Sequence, residues 1–512
     1  MPRVYRKAMQ NPGNAFFHFD NTYARDLQGL YRSWKPAQVP APRLVFFNRT
    51  LAEELGLDPV ALAGDEGAAI FAGNVVPEGA QPLAQAYAGH QFGGFSPQLG
   101  DGRALLLGEI IDPKGHRRDL AFKGSGRTPF SRGGDGKAAL GSMLREVLVS
   151  ESMHAFGIPT TRALAVASTG EPVYREKALP GAVLTRVASS HLRVGTFQFC
   201  ASRREFGKLR ELADYAIARH DPDLAESPQR YLALLSNVAQ RQAALIAQWM
   251  NVGFIHGVMN TDNMTISGES IDYGPCAFME AYDPQAVFSS IDSTGRYAYS
   301  NQPGIAQWNL ARLAEALLPL MVEDGGEEAA DRVVEDATAV IEAFPGLYEG
   351  YLLSGQRAKL GLAGSTDPAD AALANDWLDL MHANGVDFTL GWRHLCEAAA
   401  GDDSLLLNLF ASAPALQEWL TRWRARCTNA DEASVSPQAR ASRMARANPW
   451  ITARNHRVEE ALEAASEQDD MAPFERLLAA LRNPFEPSPA QVIYAEPAPT
   501  EVTACYQTFC GT

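Results

Sequence analysis

With 512 residues, 46% of them hydrophobic and 21% charged, the chain has apolar surface enough for one large two-lobed unit or several modest domains. Its formal net charge of -15 excludes a general binder of nucleic acid or anionic membrane, since both depend on clustered cationic surface; an anionic ligand must find a locally basic pocket. Six scattered cysteines are too few for a secreted disulfide framework, and none of the ten histidines shows zinc-site spacing.

Arg3, Arg6 and Lys7 are followed by Asn11, Pro12, Gly13 and Asn14 rather than an apolar core, so no secretory signal is expected; a mitochondrial presequence stays open, and the expected location is cytoplasmic. Leu44 to Phe47 reads as a short strand, and Thr50 with Glu53 as a capping box that opens a helix ending near Gly56. Two β-type runs, Arg103 to Ile111 and Asp119 to Lys123, are separated by the turn residues Asp112, Pro113 and Gly115 and predict a hairpin. Lys137 to His154 has helical periodicity and is stopped by Gly157 and Pro159; Ala163 to Ala167 and Ala182 to Val187 read as further strands.

Beyond Gln198 the pattern turns helical. Tyr231, Leu234, Leu235, Val238, Leu245, Ile246 and Trp249 put a wide apolar stripe on one long helix. The stretch from Ala243 to Met259 is interrupted by Gln248, Asn251 and His256, so no membrane span is expected. Helical patterns continue through Asn309 to Met321, Glu327 to Phe344, Ala371 to His382, Arg454 to Ala465 and Pro473 to Leu481. Pro484, Pro487, Pro489, Pro497 and Pro499 then predict an extended, mobile tail. The fold class expected is α+β, with residues 1–198 forming a β-rich lobe, 199–483 a mostly helical lobe with additional C-terminal helices, and 484–512 the tail with Cys505 and Cys510.

Several residues carry chemistry. Gly100, Asp101, Gly102 and Arg103 precede a strand; such glycines let backbone NH groups approach a polyphosphate, though a tight hairpin turn is the commoner explanation of such a run. The stretch ending in Gly133, Gly134, Asp135, Gly136 and Lys137 is not a Walker A loop, because Ser131 stands at its first glycine and Ala138 at its metal-binding hydroxyl. Lys123 ends an apolar strand, and Glu146 lies on the apolar face of the following helix with Ala139, Met143, Val149 and Met153. A carboxylate there is costly unless paired, and a strand lysine held by a helix glutamate is how kinases hold nucleotide phosphates.

The most specific run begins at His256 and reads HGVMNTDNM, followed by Asp272, Tyr273 and Gly274. It resembles the kinase catalytic loop and DFG motif in type and spacing, but Val258 replaces the catalytic aspartate. Asn263 and Asp272 remain as oxygen ligands for a hard cation, and Asp262 is either a substitute base or a turn aspartate. Arg186 and Arg193, flanking Ser189, Ser190 and His191, read as a phosphate clamp or as solvated surface.

Together these strings, with FDNTYARDL from Phe19, YAGHQFGGFSPQLGDGRALLLGE from Tyr87, FKGSGRTPFSRGGDGKAALGSMLRE from Phe122, and DYGP, resemble the selenoprotein O family of pseudokinases over nearly the whole chain. The resemblance implies a protein-kinase-like two-lobed fold and transfer of AMP from ATP to Ser, Thr or Tyr hydroxyls of proteins, the chain itself among them, with ATP bound end for end relative to a kinase. It implies that Gly100, Gly102, Arg103, Lys123, Asp135, Gly136, Arg186 and Arg193 bind nucleotide and that Glu146 orients Lys123. It further implies that Asn263 and Asp272 hold Mg²⁺ or Mn²⁺, the latter with a route to uridylyl transfer, and that Asp262 accepts the hydroxyl proton. Cys510 stands where eukaryotic members carry selenocysteine, and by the same resemblance pairs with Cys276 in redox control, with Cys505 as competitor. A conventional phosphotransferase and a non-catalytic ATP-binding scaffold stay open as rivals.

Overall fold

The computed structural model describes residues 17–325, 330–411, 413–429 and 435–509. The chain divides into two compact units. The first comprises residues 1–87, 98–143 and 162–191; the second comprises 88–97, 144–161 and 192–512. The architecture is mixed, with a sheet-rich N-terminal region and a helical C-terminal region, as the α+β, kinase-like expectation requires.

Among the described residues, the first unit holds an eight-stranded sheet. Its path runs from Tyr31–Ser33 through Leu83–Gln85, Ala104–Ile111, Arg117–Lys123, Ala178–Ala188 and Arg162–Tyr174 to Arg43–Phe47, and Ala138–Ala139 pairs with Ala178–Ala188 off that path. The expected hairpin forms between Ala104–Ile111 and Arg117–Lys123, its turn fixed by Asp112, whose Oδ1 accepts from the Lys114 and His116 amides. Period-two alternation sends Leu120 and Phe122 into a core with Leu51, Leu62, Phe71, Leu107, Leu164 and Val183, and turns Ala121 and Lys123 to the opposite face.

Two local expectations are corrected. The helix Arg49–Glu54 is capped by Asn48, whose side chain accepts from the Leu51 amide at 3.2 Å, not by Thr50 with Glu53. The long helix begins at Leu140 instead of Lys137, because Ala138 and Ala139 are committed to pairing with Ala182 and Gly181.

In the second unit the helix Arg230–Asn251 buries the whole predicted stripe and packs on the helices Gln302–Gly325 and Ala330–Lys359. Further along, Trp377, Trp392, Trp419 and Trp423 are fully buried, with the Trp377 and Trp419 rings 4.6 Å apart. The tail is not extended. Val492–Ala495 and Thr500–Cys505 are helical, and Tyr494, Ala495 and Thr508 are buried. Arg454 and Arg457 hold the carbonyls of Ala495 and Ile493, and Thr508 donates to the Pro275 carbonyl at 2.7 Å. Pro489 opens a 3₁₀ turn and Pro499 caps a helix, so these prolines begin elements rather than prevent them. No helix among the described residues is long and apolar enough to cross a membrane.

Candidate active site

The cationic candidates of the first unit sit on one sheet face. Leu184 faces Lys123 and Arg186 faces Ala121 across the antiparallel pair, so Lys123 and Arg186 are diagonal neighbours. Both are buried, at 6% and 3% exposure, which a merely solvated surface cation would not be. The Arg186 Nε donates to His191 Nε2 at 3.3 Å, and His191 Nδ1 lies 3.0 Å from Asp119 Oδ2, which also accepts the His191 amide at 2.8 Å. These contacts require the neutral ring with its proton on Nδ1, and they fix the plane of the guanidinium. Asp119 and His191 were not among the sequence candidates; a charge inside the apolar strand run Arg117–Lys123 was the available signal.

The glycine loop beside that strand is pinned by Thr128 Oγ1, which donates to the Asp101 carbonyl at 2.6 Å, and by Ser131 Oγ, which donates to the Gly102 carbonyl. The Asp101 carboxylate accepts the Gln85 amide at 3.0 Å. Gly100 has φ +135°, and any Cβ there would meet the Phe130 ring at 2.5 Å, so the position demands glycine for shape. Arg103 follows, its carbonyl accepting the Gly124 amide at 2.7 Å. Asp135 is clamped by both Arg175 nitrogens, at 2.9 and 3.2 Å, and that guanidinium holds its carboxyl below the usual range. Gly136 follows at φ +69° against the Gly126 backbone.

In the second unit, the strands Phe254–Ile255 and Ala277–Phe278 pair and hold the HGVMNTDNM loop between them. His256 Nε2 bonds the Ile271 carbonyl at 2.8 Å and its ring stacks on Trp249, tying the loop to the Asp272 turn. The β stretch expected after Met264 is only two isolated bridges, Arg193 with Thr265 and Thr160 with Ser270. Thr261–Asn263 form one 3₁₀ turn. Asn263 Nδ2 donates to the Val258 carbonyl at 3.0 Å, which leaves its Oδ1 as the acceptor end. Asp272 takes φ +63°, a left-handed conformation that costs a non-glycine residue about 1 kcal/mol or more and is typical of functional turns.

Asp262 is half-buried, with its Oδ1 shielded from solvent. Burial pushes its carboxyl up to about 6 and nearby Asp272 pushes the same way, while Arg193 and a hydrogen bond from Gln91 oppose them. Gln91 Nε2 donates to Oδ2 at 3.2 Å, whereas Oδ1 is buried without a partner.

The Gln91 contact comes from a hairpin of strands Gly89–Gln91 and Gly94–Ser96 that sequence reasoning left unassigned. Its His90 amide donates to Thr261 Oγ1 at 2.7 Å and its Phe92 amide to Asn260 Oδ1 at 3.0 Å. Thr261 in turn donates to Gln198 Oε1 at 2.7 Å. The signal available was the Gly93-Gly94 pair between aromatic residues.

Glu146 is buried in the second unit on the helix Leu140–Ala155, close enough to Tyr273 and Cys276 to raise both their pKa values. Its neighbour Arg145 donates to the Cys276 carbonyl at 3.0 Å. The Cys276 thiol is buried and pushed up to about 12, chiefly by burial. Cys510 and the side chain of Cys505 lie outside the described residues.

A shielded carboxylate oxygen, an amide oxygen and a strained aspartate in one loop of the second unit, and a buried lysine and arginine on a glycine-flanked sheet of the first, are groups of the kinds that a nucleotide-using transferase of the kinase-like class employs. The comparisons give that class. The family model for "Protein adenylyltransferase SelO" matches residues 15–482. A "Protein nucleotidyltransferase YdiU" of Cereibacter sphaeroides (strain KD131) is 61% identical over 97% of this chain and 100% of the relative. Relatives of the same name from Chromobacterium violaceum and Rhizobium rhizogenes are 59% and 56% identical, over 93% and 96% of this chain and 98% and 97% of their own. The chain belongs to the SelO family of nucleotidyltransferases, enzymes for which the family description implies ATP and protein as substrates.

Proposed function

We propose that the protein transfers AMP from ATP to Ser, Thr or Tyr hydroxyls of proteins, its own included, and that ATP binds end for end relative to a kinase. The observation that carries this is Asp262: the loop has Val258 at the kinase base position, yet keeps a carboxylate with one buried, unpartnered oxygen. Raised towards 6, that carboxylate stays mostly ionised at neutral pH while being a stronger proton acceptor than an exposed aspartate.

In this reading Asp262 accepts the acceptor hydroxyl's proton as its oxygen bonds the α-phosphorus, and the bond from that phosphorus to the bridging oxygen of pyrophosphate breaks. Charge builds on the departing pyrophosphate, where Lys123, Arg186 and Arg193 stabilise it. The amides and cation of Gly100, Gly102, Arg103, Asp135 and Gly136 line the nucleotide, and Glu146 orients Lys123. Arg175 then fixes the Asp135 carboxylate, and the Asp119–His191 pair fixes Arg186. Asn263 and Asp272 fit a hard cation, because their side chains offer oxygen ligands; Mg²⁺ or Mn²⁺ held there would supply charge neutralisation on the phosphates. A redox bridge between Cys276 and Cys510 is supported by Thr508, which the Pro275 carbonyl holds beside Cys276; reduction would raise activity.

ATP labelled at the α or the γ phosphate tests the reading. Label from the α position on protein, with pyrophosphate released, is expected with Mg²⁺ or Mn²⁺. Incorporation of γ label alone makes the enzyme a phosphotransferase, and binding without either label makes it a scaffold.

A further inference from the structure

We propose that the hairpin Gly89–Ser96 and Arg296 form a docking surface for an acidic segment of the acceptor protein, beside the loop that carries Asp262. The inference rests on the reading of proteins as acceptors and adds what kind of sequence they present.

Position comes first. The hairpin is bonded to Asn260, Thr261 and Asp262 by its Phe92, His90 and Gln91. Tyr297 OH closes the same group on Asn260 Oδ1 at 2.7 Å. The hairpin therefore adjoins the loop that carries the proposed base.

Composition comes second. The turn is Phe92-Gly93-Gly94-Phe95, with Phe92 39% and Phe95 43% exposed. The Phe92 ring meets the Tyr297 ring edge-on at 5.2 Å, and the Phe95 ring lies 4.9 Å from His90. Two large exposed apolar side chains on a hairpin anchored to a catalytic loop suit contact with an incoming chain.

Charge is third and selects the partner. The Arg296 guanidinium lies 5.0 Å over Trp308 and 5.8 Å from the Tyr297 ring, and it pairs with no carboxylate among the described residues. Its Nε is buried without a hydrogen bond. Arg312 covers Trp308 at 4.9 Å but is already paired with Glu315 at 2.6 Å. A Cβ added to Gly93 would meet the Arg296 guanidinium at 3.7 Å, so this cation edges the hairpin. In a chain of net charge -15, a stacked guanidinium left without an acid is conspicuous. It also donates to the Tyr297 side chain, and, held flat by the indole, it keeps its full charge and its remaining terminal donors for a carboxylate. The occupant that fits is an extended segment with Asp or Glu near the acceptor hydroxyl and an apolar residue against Phe92 or Phe95.

Fluorescein-labelled serine peptides flanked by Glu, Gln or Lys, titrated with the full chain and followed by anisotropy, test this without requiring turnover. The Glu peptide should bind about tenfold tighter than the Gln peptide, an advantage that added salt erodes. Arg296→Gln, checked for an unchanged melting temperature, should bring the Glu peptide to the Gln peptide's affinity. Arg296→Glu should reverse the order in favour of Lys. Equal binding of the three peptides, or an acidic preference that survives both substitutions, overturns the proposal. So does a loss in Arg296→Gln that falls on ATP affinity instead, since the arginine would then serve a phosphate. Preferential binding with no transfer of α label upholds the docking surface and sinks the transferase reading.

Discussion

Two of the places where the second unit buries charge treat it in opposite ways. Far along the chain, Arg454 is 1% exposed and both of its terminal nitrogens are bonded, with two carboxylates between them. It donates to both oxygens of Asp387 at 2.6 and 2.9 Å, to Glu280 at 2.6 Å and to the Ala495 carbonyl at 2.9 Å. Arg393 likewise spends one nitrogen on the carbonyls of Ala445, Asn448 and Phe485. In the loop from His256 to Gly274, by contrast, Asp262 keeps a buried oxygen unpartnered and Asp272 holds a left-handed backbone. Neutralised charge fixes a fold; charge left poised and strained is kept where something else must complete it.

The contrast breaks most sharply at Asp272. If it bridges cation and phosphates, Asp272→Ala should cost about a thousandfold or more in transfer and abolish cation-dependent ATP binding, with little change in melting temperature. Asp262→Ala should slow transfer by about a hundredfold to ten-thousandfold while calorimetry finds ATP affinity retained. Equal loss of ATP affinity in both variants would contradict this division of roles.

How legible the loop was in sequence follows from the same contrast. His256, Asn263 and Asp272 could be found because their spacing along the chain is itself the signal. The partners that shape the loop could not. Gln91 reaches Asp262 across 171 positions, and His191 reaches Asp119 across 72, and no periodicity encodes such a contact. The stripe of Arg230–Asn251 was read, whereas Phe388–Ala400 was missed although Phe388, Trp392, Leu395 and Cys396 stand at helical spacing behind the capping Asp387. The tail was misread because proline was taken as a breaker at Pro489 and Pro499, where it begins an element, while the groups that dock it, Arg454, Arg457 and Pro275, lie far away in sequence.

A second test works from the other side. Arg454→Met leaves Asp387 and Glu280 buried and facing each other without their cation, and Glu280 is already pushed upward by burial and by Asp387. Breaking a buried pair on one side costs about 3–5 kcal/mol. Denaturant titration should show that loss while the folded fraction retains its activity. A loss below 1 kcal/mol would mean the region tolerates unpaired charge as the loop does, and the comparison would fail.

Lys359 gives the smallest and sharpest test, because it is a buried charge in the far region with no carboxylate beside it among the described residues. Its Nζ donates to the Asn251 carbonyl at 2.7 Å and lies 4.8 Å from the Trp392 ring centre. Burial pushes its pKa down to about 7 from an ordinary 10.5. Between those values the unfolded chain binds a proton that the folded chain has released, so stability rises with pH across the window. Below about 7 both states are protonated and the full cost of the buried ammonium is felt. Comparison with Lys359→Met removes the other titrating groups, which both proteins share. The methionine also leaves the Asn251 carbonyl without its donor, an offset independent of pH, so the informative quantity is the change in the difference between the two proteins. Wild type should gain about 2 kcal/mol on the variant between pH 7 and pH 9, read from urea midpoints. Parallel stability curves would show that the carbonyl and the indole keep the ammonium charged well above pH 7, which would place Lys359 with the hydrogen-bonded charges of Arg454 and Arg393.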